Sequence, residues 1–166
     1  WEIQNAVRER RIDVALLSDR MLWHDATSTP LYRERLLAAL PCGHPLARRD
    51  ALDWTSLQDE VLLVQGWDNS QAAREFYVSL LGRAVHFEAH AAGKQCIFAL
   101  VAAGFGITLA TASQSEVVFP GVTYRPVCEE NAWVQVELVW NPEAEDPAVG
   151  RFIAFLRDEA TSRRLF

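Results

Sequence analysis

Leu-Leu-Ala-Ala-Leu-Pro-Cys-Gly-His-Pro-Leu-Ala-Arg-Arg, residues 36–49, carries an apolar strand into a proline-punctuated turn and out again as polar chain. Leu36, Leu37, Ala38, Ala39 and Leu40 are five apolar residues in a row, which suits a strand buried on both faces of a sheet. Pro41 has no N–H for a ladder, and Pro45 biases His44 away from helix, so the strand is expected to end here. The stretch reads as the point where one lobe passes the chain to another. A gap between lobes is where small ligands usually bind.

On either side, strand and helix signals alternate. The spacing predicts a helix over 1–10 with Ile3, Val7 and Ile12 on one apolar edge, then a buried strand over 12–17 and a long one over 31–40. Asp53 is placed to cap a helical turn over 54–57, and 61–64 is a fully apolar strand. A helix follows to Leu81, with Ala73, Phe76, Tyr77, Leu80 and Leu81 at helical spacing and Gly82 at the C-cap. Strand 85–89 alternates Val85, Phe87 and Ala89 with His86, Glu88 and His90. The helix over 95–103 is apolar nearly all round and therefore expected to be buried, ending at Gly104. Gly104 and Gly106 are read as the turn that lets Phe105 pack. Strands are expected over 107–110, through Tyr124, Pro126 and Cys128, and over 134–140. A last helix opens at Pro147 with Val149, Phe152, Ile153, Phe155 and Leu156 as its core stripe. Strands alternating with helices imply an α/β fold with largely parallel sheets.

Half of the 166 residues are hydrophobic and 23% are charged, the composition of a globular chain. A net charge of −6 argues against a direct nucleic-acid surface. No apolar run approaches the ~18–20 residues that span a bilayer, and the start shows no signal-peptide pattern. The only methionine is Met21, so the chain reads as a piece of a longer protein. Cys42, Cys96 and Cys128 form no CxxC pair; they fit a reducing cytoplasm, with the thiols buried as small packing residues.

Several of these segments, in order and at matching spacing, resemble the effector-binding domain of LysR-type bacterial transcriptional regulators. They are Arg11-Ile12-Asp13-Val14-Ala15-Leu16, the strand 37–41 followed by Gly43-His44-Pro45-Leu46-Ala47, Leu100-Val101-Ala102-Ala103-Gly104-Phe105-Gly106-Ile107, and Gly121-Val122-Thr123-Tyr124-Arg125-Pro126-Val127 followed by Leu138-Val139-Trp140. The resemblance implies two Rossmann-like lobes joined by two crossover strands, similar to type 2 periplasmic binding proteins. Lobe I would be 1–41 with 127–166, and lobe II 42–126. It further implies an absent N-terminal segment holding the first strands of lobe I and a winged helix-turn-helix, through which alone DNA would be bound.

Candidate ligand contacts sit where strands run into helices, because free backbone N–H groups and the helix dipole attract anions there. One group is Gln65, Trp67, Asp68, Asn69 and Ser70, against the plainer reading of a capped βα loop. Another is Ala92, Gly93 and Lys94, where Gly93 permits close backbone approach and Lys94 either pairs a carboxylate or lies solvated beside a turn. Ser18 and Asp19 follow the strand over 12–17, with Arg20 as an anion clamp or an ordinary surface arginine. The helix carrying Arg74, Tyr77, Val78 and Leu81 matches one that packs against a second subunit in the family, so a homodimer or tetramer is expected. His86, Glu88 and His90 share a strand face but lack a further metal ligand. No catalytic motif and no cofactor fingerprint is present. The expected function is a cytoplasmic sensor of a small metabolite, an organic acid by the N-terminus argument, with no catalysis. The alternative is a solute-binding protein feeding a transporter.

Overall fold

A computed structural model describes residues 2–66, 71–83, 85–143 and 146–162. The chain divides into two compact units, unit 1 from 1–33 with 134–166 and unit 2 from 34–133. The first passage between them lies inside strand β2 (Thr27–Pro41) and the return at the start of β7 (Trp133–Trp140).

Unit 1 holds helix α1 (Glu2–Arg8), strand β1 (Val14–Ser18) and helix α5 (Pro147–Ser162) beside its parts of β2 and β7. In sheet order β7 lies between β1 and β2. It runs antiparallel to β1, with Leu16 opposite Leu138 and Ala15 opposite Val139. Leu138, Val139 and Val7 are fully buried and form the centre of this unit.

Unit 2 is built on β3 (Val61–Gln65), α2 (Gln71–Leu81) and β4 (His86–His90), a βαβ unit whose two strands pair in parallel from Val61 opposite His86 to Gln65 opposite His90. Helix α3 (Lys94–Ala102), strand β5 (Thr108–Thr111), short helix α4 (Ala112–Ser115) and strand β6 (Val122–Pro126) complete it. Strands β5 and β6 flank β2, both antiparallel, with Ala38 opposite Leu109 on one side and Arg125 on the other. Ala38, Ala39 and Leu40 are wholly buried there, as the apolar run predicts, and β2 ends at Pro41. Ala39, Leu63, Ile97, Phe98, Val101 and Ala110 pack together; each large side chain among them stabilises the fold by about 1.5–3 kcal/mol. Gly82 ends α2 with φ +84°, and Asp53 Oδ1 accepts from Ser56 N at 2.7 Å to start the turn at Thr55–Leu57.

Several expectations fail for physical reasons. The strand pairing is mixed rather than largely parallel: β3 pairs in parallel with β4 and, at Leu62 opposite Ile107, with the chain entering β5, each reached through a helix. The strands that carry the chain between units pair antiparallel. All three cysteines are exposed instead of buried; Cys42 lies in the turn after Pro41, where Thr123 Oγ1 donates to its Sγ at 3.2 Å. Helix α3 buries Ile97, Phe98 and Val101 but leaves Cys96 and Ala99 outside. Phe105 does not pack and is exposed beyond the turn. On α5 the covered stripe runs through Val149, Ile153, Leu156 and Ala160, one helical face, while Phe152 and Phe155 lie off it and are exposed. On the first helix Val7 is buried, but Ile3 and Ile12 are exposed. The strand expected as far as Cys128 stops at Pro126, after which Cys128 N donates to Leu52 O at 2.8 Å.

Candidate functional site

The parallel strands β3 and β4 end side by side at Gln65 and His90. Gly66 N and Ala92 N both donate to His90 O, at 3.1 and 2.8 Å, and these bonds hold the two strand ends and turn the chain back into α3. Gly93 is the N-cap of α3 and offers no side chain to it. Cys96 N donates to Gly93 O at 3.0 Å, and the Lys94 and Gln95 N–H groups remain for solvent or a ligand, at the positive end of the helix dipole. Gly93 itself has φ −68°, and a Cβ added there would meet nothing nearer than Gln95 Oε1 at 3.8 Å. The close approach expected of this glycine is thus not demanded by local packing.

Lys94 is sunk rather than solvated. Its Nζ donates to Leu109 O at 2.6 Å and to Thr108 Oγ1 at 3.2 Å, and it stands 5.4 Å from the centroid of the Phe98 ring. Thr108, fully buried, is fixed in turn because its hydroxyl donates to Leu63 O at 2.7 Å. No carboxylate pairs with Lys94 among the described residues. Burial lowers its pKa to about 8, so the amine stays largely charged at neutral pH without a counter-ion of the protein's own. Two of its three N–H groups are engaged, and the third is free to meet an acceptor. At the neighbouring strand end, His90 Nε2 is buried without a hydrogen bond, with Glu88 Oε2 3.8 Å away.

Gln65, Ala92, Gly93 and Lys94 are thus brought together in unit 2. Trp67, Asp68, Asn69 and Ser70 lie outside the described residues. Ser18 and Asp19 belong to unit 1, where their polar atoms are used locally: Ser18 Oγ accepts from Arg20 N at 3.3 Å and donates to Asp19 Oδ1, and Asp19 pairs with Arg20 at 3.4 Å. On α2, Arg74 is exposed and Tyr77 and Val78 are half-buried. Leu81 is 1% exposed, which leaves it no surface for a second subunit, contrary to expectation. Its helical spacing could not separate a core-facing position from an outward one on the same broad stripe. His86 and His90 both approach Glu88, at 3.6 and 3.8 Å, and no group of three or more potential metal ligands occurs among the described residues. Thr108 escaped the sequence reading; its only signal is a hydroxyl inside an otherwise apolar strand.

Comparison with known proteins agrees with this architecture. The family model described as the LysR substrate binding domain matches residues 1–161. The chain is 26% identical over 149 residues to an uncharacterised helix-turn-helix-type transcriptional regulator of Escherichia coli K12, YnfL, covering 86% of this chain and 49% of that protein. It therefore spans about half the length of the curated relative it matches. The effector-binding domain of a BenM variant superposes with a TM-score of 0.82 at 21% identity, over 99% of this chain and 79% of that one. CbnR, a LysR-family transcriptional regulator, gives 0.82 at 15% identity over 96% of this chain and 56% of that one. At such identities the structures establish the fold, that of type 2 periplasmic binding proteins.

Proposed function

Because this chain belongs to the LysR substrate-binding domain family, we propose that it is the metabolite-sensing part of a LysR-type transcriptional regulator, binding a small organic acid and catalysing nothing. The observation that carries the ligand class is Lys94, an ammonium without an acidic partner, at the uncapped start of α3 and beside the carboxyl ends of β3 and β4. A carboxylate there would meet the spare N–H of Lys94 and the Lys94 and Gln95 amides, with Gln65 at the neighbouring strand end. The BenM effector-binding domain has been solved with its effector benzoate, itself a small carboxylate, and the same chemistry suits this site. The ligand would act by differential affinity for two conformations of the domain, and that difference bounds what it can transmit. DNA would be contacted by a helix-turn-helix outside this chain, in the bacterial cytoplasm. A second subunit would meet α2 at Arg74, Tyr77 and Val78.

The test is a thermal-shift screen of small carboxylates, each beside its neutral amide and a cationic analogue. Stabilising hits should be acids, and Lys94→Met should weaken the best of them about 10–100-fold, the worth of a charge-assisted hydrogen bond. Hits confined to cations, or acids that bind the variant as tightly, would overturn the reading. Light scattering on the same samples should show a dimer; a strictly monomeric species removes the α2 contact.

A further inference from the structure

Unit 1 contains a hollow of about 270 Å³, formed by the end of α1, the loop between β1 and β2, and the turn after β7. Trp23 and Trp140 line it, together with Val7 and Pro142. The geometry points to a site for a small organic cation, an alkylammonium of choline size, seated between these indoles and two carboxylates. This assignment is independent of the site in unit 2.

The two tryptophans differ from a structural one. Trp54 is buried, and its Nε1 donates to Asn131 Oδ1 at 2.7 Å, as a core indole requires. Trp23 and Trp140 are half-buried, and neither indole N–H has an acceptor among the described residues. Both residues line the hollow instead. An aromatic ring attracts a cation through its quadrupole, more so when the cation is partly desolvated.

The charges favour the same class. Arg8 Nη2 lies 2.6 Å from Asp25 Oδ1, so the one guanidinium in the lining is neutralised in place. Glu143 supplies a second carboxylate to the wall; Arg10, which is not part of the lining, donates to Glu143 O at 2.9 Å and stands 3.4 Å from its carboxylate. Each guanidinium at the hollow is thus engaged by a carboxylate, and an anion would find no free cation there. The walls are also fixed. Asn141 Nδ2 donates to Val7 O and Arg8 O, each at 3.4 Å, and its Oδ1 accepts from Glu143 N at 2.9 Å. This ties the turn after β7 to the last residues of α1.

The experiment titrates choline into the ¹⁵N-labelled chain and follows its six indole N–H signals, with Trp23→Phe and Trp140→Phe assigning the two that matter. Choline should shift those two saturably. Its neutral isostere 3,3-dimethylbutan-1-ol should bind about tenfold more weakly, the share of a cation–π contact. Trp23→Leu should abolish the effect, and Asp25→Asn should weaken it several-fold, each with an unchanged melting temperature. No saturable shift, equal binding of the alcohol, or shifts confined to the other tryptophans would overturn the assignment. If Trp23→Leu lowers the melting temperature, Trp140→Phe at full stability decides the matter by the loss it causes.

Discussion

At Lys94 two influences oppose each other. Burial disfavours the ammonium, while Leu109 O, Thr108 Oγ1 and the Phe98 ring favour it; burial wins, and the pKa falls to about 8 from 10.5. Between those two values the unfolded chain holds a proton that the folded chain lacks. The contribution of this group to stability therefore rises as pH climbs through the window, and below it the full penalty remains. A methionine incurs no such penalty. Urea unfolding of the parent and Lys94→Met should show their difference moving in the parent's favour by roughly 2 kcal/mol from pH 7 to pH 10, after allowance for partial solvent contact. A difference flat in pH would mean that the amine is not sunk. Sequence marked Lys94 because it follows a strand and Gly93, but depth was not legible. A lysine after a turn reads the same whether its stem lies along the surface or reaches under it to a threonine fourteen residues on. The exposed cysteines teach the same lesson, since burial tendency belongs to the residue type while position belongs to the fold.

Among the elements, the legible ones are those whose ends are fixed by local chemistry. Helix α2 stops at Leu81 because Gly82 takes φ +84°, α3 stops before Gly104 at φ +85°, and β2 stops at Pro41. Pairing direction was not legible, because it depends on which distant strand arrives, and β5 and β6 both arrive antiparallel on β2. Nor was the covered face of α5, where five apolar residues spread wider than the one stripe that ends up covered. The turn from α3 to β5 shows how an element can rest on one atom. A Cβ on Gly106 would lie 2.4 Å from Val61 O, the carbonyl that accepts from Ile107 N, and 3.2 Å from Leu63 Cγ. Gly106→Ala must push β5 off β3 and should cost about 2–4 kcal/mol in urea unfolding. Gly150, inside α5, has nothing within 4 Å of its added Cβ, so Gly150→Ala should stabilise by about 0.5–1 kcal/mol. Equal effects at the two glycines would refute the contact argument.

For the whole molecule, the two units are unequally supported. Among the described residues the large, fully buried side chains of unit 1 are Val7, Leu138 and Val139, whereas unit 2 has Leu40, Leu52, Leu57, Leu62, Leu63, Leu81, Ile97, Val101, Ile107 and Val127. Unit 1 also leaves Ile3, Leu16, Phe152 and Phe155 exposed, and the outer edge of β1 meets no strand among the described residues. An unpaired strand edge beside exposed apolar surface is where a sheet opens first and where chains associate. Unit 1 should therefore open at lower free energy than unit 2, and unfolding should depart from two-state behaviour. Native-state hydrogen exchange can measure this directly. Amides of β1 and α5 should exchange through an opening at least about 2 kcal/mol cheaper than those of β3 and β5, the worth of one buried side chain. Phe155→Glu should lessen concentration-dependent association without changing exchange in β3. Equal protection in both units would show that burial within each does not set its stability, and that the two unfold as one.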